Sequence, residues 1–273
     1  MIGRTGWLAG ERLKAVDLHL YMQRVGKWVN WDKTCDRFLA GNPQAEVVGI
    51  AVSWMPTMAN LRRASEMACN LFVTHEPLFA CEADPDKLID PEDAWVRKKS
   101  WLEKEGMVVY RCHDVWDDYP EVGIHGAWAK WLGFDGKPVA SRKFYEVHKV
   151  RDTSLQELAK RILEKVEPLG QKAVLVVGDL DKRVSRIALG TGAITDYRQM
   201  YHMKADVLLL TDDGTRLWES GQWALDMNVP LIMVNHSTSE EPGMVTLARH
   251  IQEKFPNVPA KHIPTGCIYR TIS

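Results

Sequence analysis

Short apolar runs bounded by turn residues alternate along this chain with stretches whose apolar positions recur at helical spacing, as strands and amphipathic helices in alternation do. The runs predict strands over Val47–Val52, Leu71–Thr74, Met107–Cys112, Ala173–Val177, Arg186–Leu189, Val207–Thr211 and Leu231–Asn235. Each is short and apolar, as strands covered on both faces are, so the expected fold class is α/β with mostly parallel sheets. Helices are expected over Met58–Asn70, Asp93–Glu105, His125–Leu132, Ser154–Val166, Leu217–Asn228 and Met244–Lys254. Asp152 or Ser154 can cap the fourth, and Gly106 and Gly133 stand where helices end on a left-handed residue. The stretch GFDGKPVASRK, with two glycines and a proline, marks a boundary. It divides the chain into two sandwich-like α/β halves, residues 1–135 and 145–273, joined by a linker over 136–144.

Composition narrows the function classes. The 273 residues are 45% hydrophobic and 26% charged, enough apolar material for a sizeable core and too much for a disordered chain. Lysines and arginines number 35 against 36 acidic residues, so there is no basic excess to hold nucleic acid, and any partner must be recognised by a local site. Apolar runs such as Val207–Leu210 fall far short of the roughly 18 residues that a membrane helix needs, so no membrane partner is expected. Five cysteines, an odd number with no C-x-x-C pair, and no apolar segment after MIGRTGWLAG lead to the expectation of a reducing, cytoplasmic setting. Eleven tryptophans without interleaved basic clusters read as core and subunit-interface mass, which suits a homo-oligomer.

The chemistry collects where strands end. Open α/β sheets bind ligands beyond the carboxyl ends of their strands. Here LFVT runs into His75-Glu76-Pro77, MVVYRC into His113-Asp114 with Asp117 close behind, and PLIMVN into His236 with Glu240 four residues on. Histidine and carboxylate clusters at three strand ends form the pattern of a composite site for a divalent cation. Each cluster also has a plainer reading. Asp114, Asp117 and Asp118 could cap a turn, and Ser237 to Glu240 could cap the helix expected near Met244.

These residues resemble a known family, the NIF-three-like dinuclear metal centre proteins, whose members are often described as GTP cyclohydrolase type 2 homologues. The resemblance rests on Phe72-Val73-Thr74-His75-Glu76-Pro77-Leu78-Phe79 and on His113-Asp114-Val115-Trp116-Asp117, followed by Gly123 and Trp131-Leu132-Gly133. It continues through Gly190-Thr191-Gly192, the run from Ala205-Asp206 to Thr211, and His236-Ser237-Thr238-Ser239-Glu240. The resemblance implies two metals held by His75, Glu76, Asp117, His236 and Glu240, in a site between the two halves, and a ring-like homo-oligomer, a hexamer. Glu76 stands where the family has a second histidine, which makes the ligand set more anionic; zinc, manganese and iron all suit it. Asp114 replaces a threonine, and Thr211-Asp212-Asp213 stands for Thr-Gly-Glu.

Two divalent ions roughly 4 Å apart suit metal-assisted hydrolysis of a nucleotide-like or phosphorylated small molecule, with His113 as the catalytic acid or base. The alternative class is a metal-binding regulatory or structural ring protein that turns nothing over. A third reading, a helical phosphohydrolase built on His113-Asp114, would need that dipeptide on a helix.

Overall fold

The computed structural model describes residues 12–79, 94–193 and 195–272. The elements, in chain order, are α1 Ala15–Val25, β1 Phe38–Ala40, β2 Ile50–Ser53, α2 Met58–Glu66, β3 Leu71–Thr74, α3 Ala94–Glu105, β4 Val108–Arg111, α4 Asp114–Asp117 and α5 Ile124–Trp131. There follow β5 Ala140–Arg142, β6 Tyr145–Ser154, α6 Leu155–Val166, β7 Leu175–Val177, β8 Arg183–Leu189, α7 Tyr197–His202, β9 Val207–Thr211, α8 Gln222–Met227, β10 Leu231–Val234, α9 His236–Lys254 and β11 Ala260–His262. All seven expected strands are present within a few residues. The start of the expected helix at Asp93 lies outside the described residues.

Packing groups the chain into two compact units: Met1–Val115 with Ala248–Ile263, and Trp116–Leu247 with Pro264–Ser273. The first holds a five-stranded sheet in the order β1-β4-β3-β2-β11. Its four inner junctions are parallel except β1 with β4. β2, β3 and β4 are buried at every position, which explains their unbroken apolar runs. Ala51, Phe72 and Val109 face one side, against Leu61 and Ala64 of α2 and Leu102 of α3. Tyr110 faces the other, where its hydroxyl meets His19 of α1 at 3.1 Å.

The second unit holds a six-stranded sheet, β5-β6-β8-β9-β10-β7. Only β8–β9 and β9–β10 are parallel; the other three pairings are antiparallel, so this sheet is mixed where a mostly parallel one was expected. Side chains alternate across it. Ile187, Leu189, Val207, Leu209, Ile232 and Val234 pack under α5 and α6, while Ala188, Leu208, Leu210 and Leu231 pack under α7 and α8. Trp128, Ala129 and Leu132 share the core of α6, so α5 counts with this unit, and the stretch read as a linker contains β5, paired with β6. Of the two capping candidates for α6, Ser154 serves: its hydroxyl accepts from Glu157 N–H at 3.2 Å, and the Glu157 carboxylate accepts from Ser154 N–H at 3.1 Å.

The last helix starts eight residues before the expected Met244, at His236, and carries Pro242 inside it. Proline removes one helix hydrogen bond, which is why the pattern reads as a stop. The turn before it stays helical because Ser239 N–H reaches Asn235 O at 3.1 Å and His236 N–H is fixed by Asp212 at 2.8 Å. Among the described residues, no helix is long and apolar enough to cross a membrane.

Candidate metal-binding residues

In the first unit the donors stand at the ends of two neighbouring parallel strands. β3 runs directly into His75 and Glu76, and one carbonyl, that of Trp54 just past β2, accepts from both of their backbone N–H groups at 3.2 and 2.9 Å. Thr74 Oγ1 donates to the same carbonyl at 3.2 Å and so locks the corner. The His75 ring is buried, and its Nδ1 lies 3.3 Å from the carbonyl of Cys112. A carbonyl only accepts, so Nδ1 carries the proton and Nε2 keeps the lone pair, the state that a metal ligand needs. Glu76 is 18% exposed, and its Oε2 lies 3.8 Å from Arg111 Nη2, while Arg111 Nε donates to the His75 carbonyl at 2.9 Å.

β4 ends at Arg111, and His113 stacks its ring on His75, centroids 4.2 Å apart and planes 13° from parallel. Donor atoms of His75, Glu76 and His113 all lie within 4.8 Å of one another. His113 also turns Nδ1 toward Asp114 Oδ1 at 3.2 Å. The dipeptide follows a strand, and α4 begins only at Asp114, so the helical-phosphohydrolase reading fails on geometry. The loop is seated by Asp36, whose buried carboxylate accepts from the N–H groups of His113, Asp114 and Val115 at 2.7, 2.9 and 2.9 Å. Burial raises the Asp36 pKa, and those three bonds oppose the rise. The Asp114 carboxylate is held well below the ordinary range, first by the bond from His113 and, against the effect of burial, by one from Thr34. Asp117 closes α4, half-buried, and lies past the end of the first unit, in Trp116–Leu247; among the described residues it joins no three-donor group.

The second unit places His236 and Glu240 one turn apart at the start of α9, both buried, with Nε2 and Oε2 3.1 Å apart. The other ring nitrogen, Nδ1, lies 2.8 Å from Oδ2 of Asp213, which follows β9. Asp212 takes the His236 N–H on Oδ1 and Asn235 Nδ2 on its other oxygen at 2.7 Å. Gly192, just past β8, adopts φ +72°, and a Cβ there would sit 3.1 Å from Glu240 Oε1 and 3.8 Å from His236 Nε2. Thr211 Oγ1 holds this turn by donating to the Gly192 carbonyl at 2.6 Å. Three adjacent strand ends thus converge on one imidazole–carboxylate pair.

Both sets have the chemistry of a divalent-cation site: imidazoles with one nitrogen already engaged, next to carboxylates. The sequence pointed to His75, Glu76, His113, Asp117, His236 and Glu240, and all but Asp117 stand in these two sets. It did not point to Asp36, Thr34 and Cys35, which lie far upstream in a stretch without strand or helix periodicity, and showed Asp213 only as a departure from a motif.

The family described as Duf34/NIF3 (NGG1p interacting factor 3) matches residues 27–266. A Clostridium perfringens protein named GTP cyclohydrolase 1 type 2 homolog is 23% identical over 224 residues, 80% of this chain and 82% of that one. Among solved structures, a Bacillus cereus protein related to NIF3 superimposes with TM-score 0.81 at 13% identity, covering 96% of this chain and all of the other. A Staphylococcus aureus hypothetical protein gives 0.80 at 18%, with the same coverage. With nearly nine-tenths of its length inside the family match and the fold shared over 96% of the chain, this protein belongs to the DUF34/NIF3 family.

Proposed function

We propose that this protein is a dinuclear divalent-metal protein and a metal-dependent hydrolase of nucleotide-like or phosphorylated small molecules. The observation that carries the reading is the pairing of an engaged Nδ1 with an Nε2 beside a carboxylate at His236 and Glu240. His75, bonded through Nδ1 to a carbonyl, supports it from the other unit. Asp117 is proposed with these three residues and Glu76 as the metal-holding set, for zinc, manganese or iron. Bound divalent cations supply Lewis acidity at a phosphoryl or ring-carbonyl oxygen of the substrate.

The chain's own residues do the rest. His113 is about one-quarter exposed and bonded through Nδ1 to Asp114, so its Nε2 is the atom that takes or returns a proton. Asp213 and the Cys112 carbonyl hold the ligating rings in one tautomer. Opening of a GTP ring rests on the names of curated relatives and ranks below general phosphoester or cyclic-amide hydrolysis.

We also propose a homo-oligomer, in line with Leu217, Trp218 and Leu225, which are 69%, 83% and 66% exposed near α8. Light scattering on a sizing column tests it, and a monomer across the working concentration range rejects it.

The central experiment is elemental analysis of the purified full chain with Glu76→His and His236→Ala, followed by a screen against phosphoesters, nucleotides and cyclic amides. Two metal equivalents and a turnover lost in His236→Ala support the hydrolase. Metal bound with no turnover on any substrate favours the regulatory or structural protein, and absence of metal rejects both.

A further inference from the structure

Beside the expected ligands lies a second group of donors, of a different character. Cys35 Sγ lies 3.8 Å from Asp114 Oδ1, and His113 Nδ1 lies 3.2 Å from the same oxygen. Donor atoms of the three side chains all fall within 4.8 Å of one another. A tetrahedral zinc site with one sulfur bond of about 2.3 Å and nitrogen and oxygen bonds of about 2.0 Å sets its ligand atoms roughly 3.3 to 3.6 Å apart, which these separations bracket. The frame around them is rigid. Thr34 Oγ1 donates to Asp114 Oδ2 at 2.7 Å and fixes the carboxylate, and Asp36 pins the backbone of residues 113–115 through three N–H bonds.

We propose that Cys35, His113 and Asp114 form a separate thiolate-containing site for a borderline-soft divalent cation, zinc foremost. Sulfur, imidazole and carboxylate together suit zinc better than manganese, and three protein ligands leave one position open. Binding replaces the Cys35 S–H bond with a metal–sulfur bond and releases that proton to solvent, while the single proton of a neutral His113 moves from Nδ1 to Nε2. A neutral imidazole offers one lone pair, so His113 serves this set through Nδ1 or the His75–Glu76 side through Nε2, and not both.

Cobalt(II) is the probe, because a thiolate ligand gives it a near-ultraviolet charge-transfer band that histidine and carboxylate ligands do not. The full chain loaded with cobalt shows the band. Cys35→Ser loses it with the far-ultraviolet circular dichroism unchanged, and Cys35→Ala stands in should the serine disturb the Asp36 turn. His75→Ala keeps it. Cobalt bound without the band, or a band that survives in both Cys35 variants, overturns the site and leaves the hydrolase reading untouched. Loss of the band in His75→Ala also overturns it, by tying the thiol to the other donor set. Failure of wild type to bind cobalt rejects both proposals.

Discussion

Nδ1 of His236 lies 2.8 Å from Oδ2 of Asp213, so a carboxylate on the loop after one strand decides which nitrogen is left to bind on the loop after the next. Such partners typically govern metal affinity by about 10- to 100-fold. Asp213→Ala is expected to weaken zinc binding by about tenfold or more, read by competition with a chromophoric chelator. Asp213→Asn, which keeps an acceptor oxygen, falls between that variant and wild type. Equal affinity in all three proteins would remove Asp213 from the site.

Gly192 combines positive φ with contact to Glu240. Alanine there costs about 1 to 2 kcal/mol for the left-handed backbone alone, and its methyl pushes on Oε1. Gly192→Ala is expected to lower the unfolding free energy by that amount, read from the shift of the urea midpoint, and to lower metal affinity at the same time. A variant that loses stability with metal binding intact would show that the turn is structural only.

His250 of α9 packs on Tyr21, whose hydroxyl meets its Nε2 at 2.7 Å, and burial depresses its pKa, with Lys254 adding to the effect and Glu253 opposing it. The folded value lies below the unfolded one of about 6.5, so the unfolded chain binds more protons in that window and stability falls as the pH drops through it. Between about pH 7.5 and 5.5, wild type should lose more stability than His250→Gln in parallel urea titrations. Parallel losses would rule out this contribution.

Burial pushes the Cys35 thiol up to about 12, with Arg111 opposing and Asp114 and Asp36 adding to the rise. At pH 8 that leaves roughly a thousandfold less thiolate than an ordinary cysteine holds. Metal-free native protein should therefore take up iodoacetamide at Cys35 far more slowly than urea-unfolded protein, followed by peptide mass spectrometry. Equal rates would contradict the buried-thiol environment.

The parts of the fold that could be read from the sequence are those buried on both faces. Leu71–Thr74 and Val207–Thr211 are unbroken apolar runs, and their predicted limits coincide with β3 and β9. β6, with Lys149, Arg151 and Asp152 on its exposed positions, has antiparallel neighbours and no apolar run to betray it. For the candidate ligands, a histidine directly after a buried strand is a local signal, and His75, His113 and His236 carry it. Asp36 and Cys35 join the same cluster through a fold-level approach across almost eighty residues of chain, which no local pattern encodes.

One feature of the first unit bears on how the protein is made. β11, residues 260–262, is the outermost strand of a sheet whose other four strands are complete by residue 111, and it pairs in parallel with β2. Until the ribosome has passed that point, β2 presents an unpaired and mostly apolar edge, the kind of surface on which nascent chains aggregate or recruit chaperones. The first unit to be translated is therefore among the last to close, and its edge stays open while the entire second sheet is being synthesised.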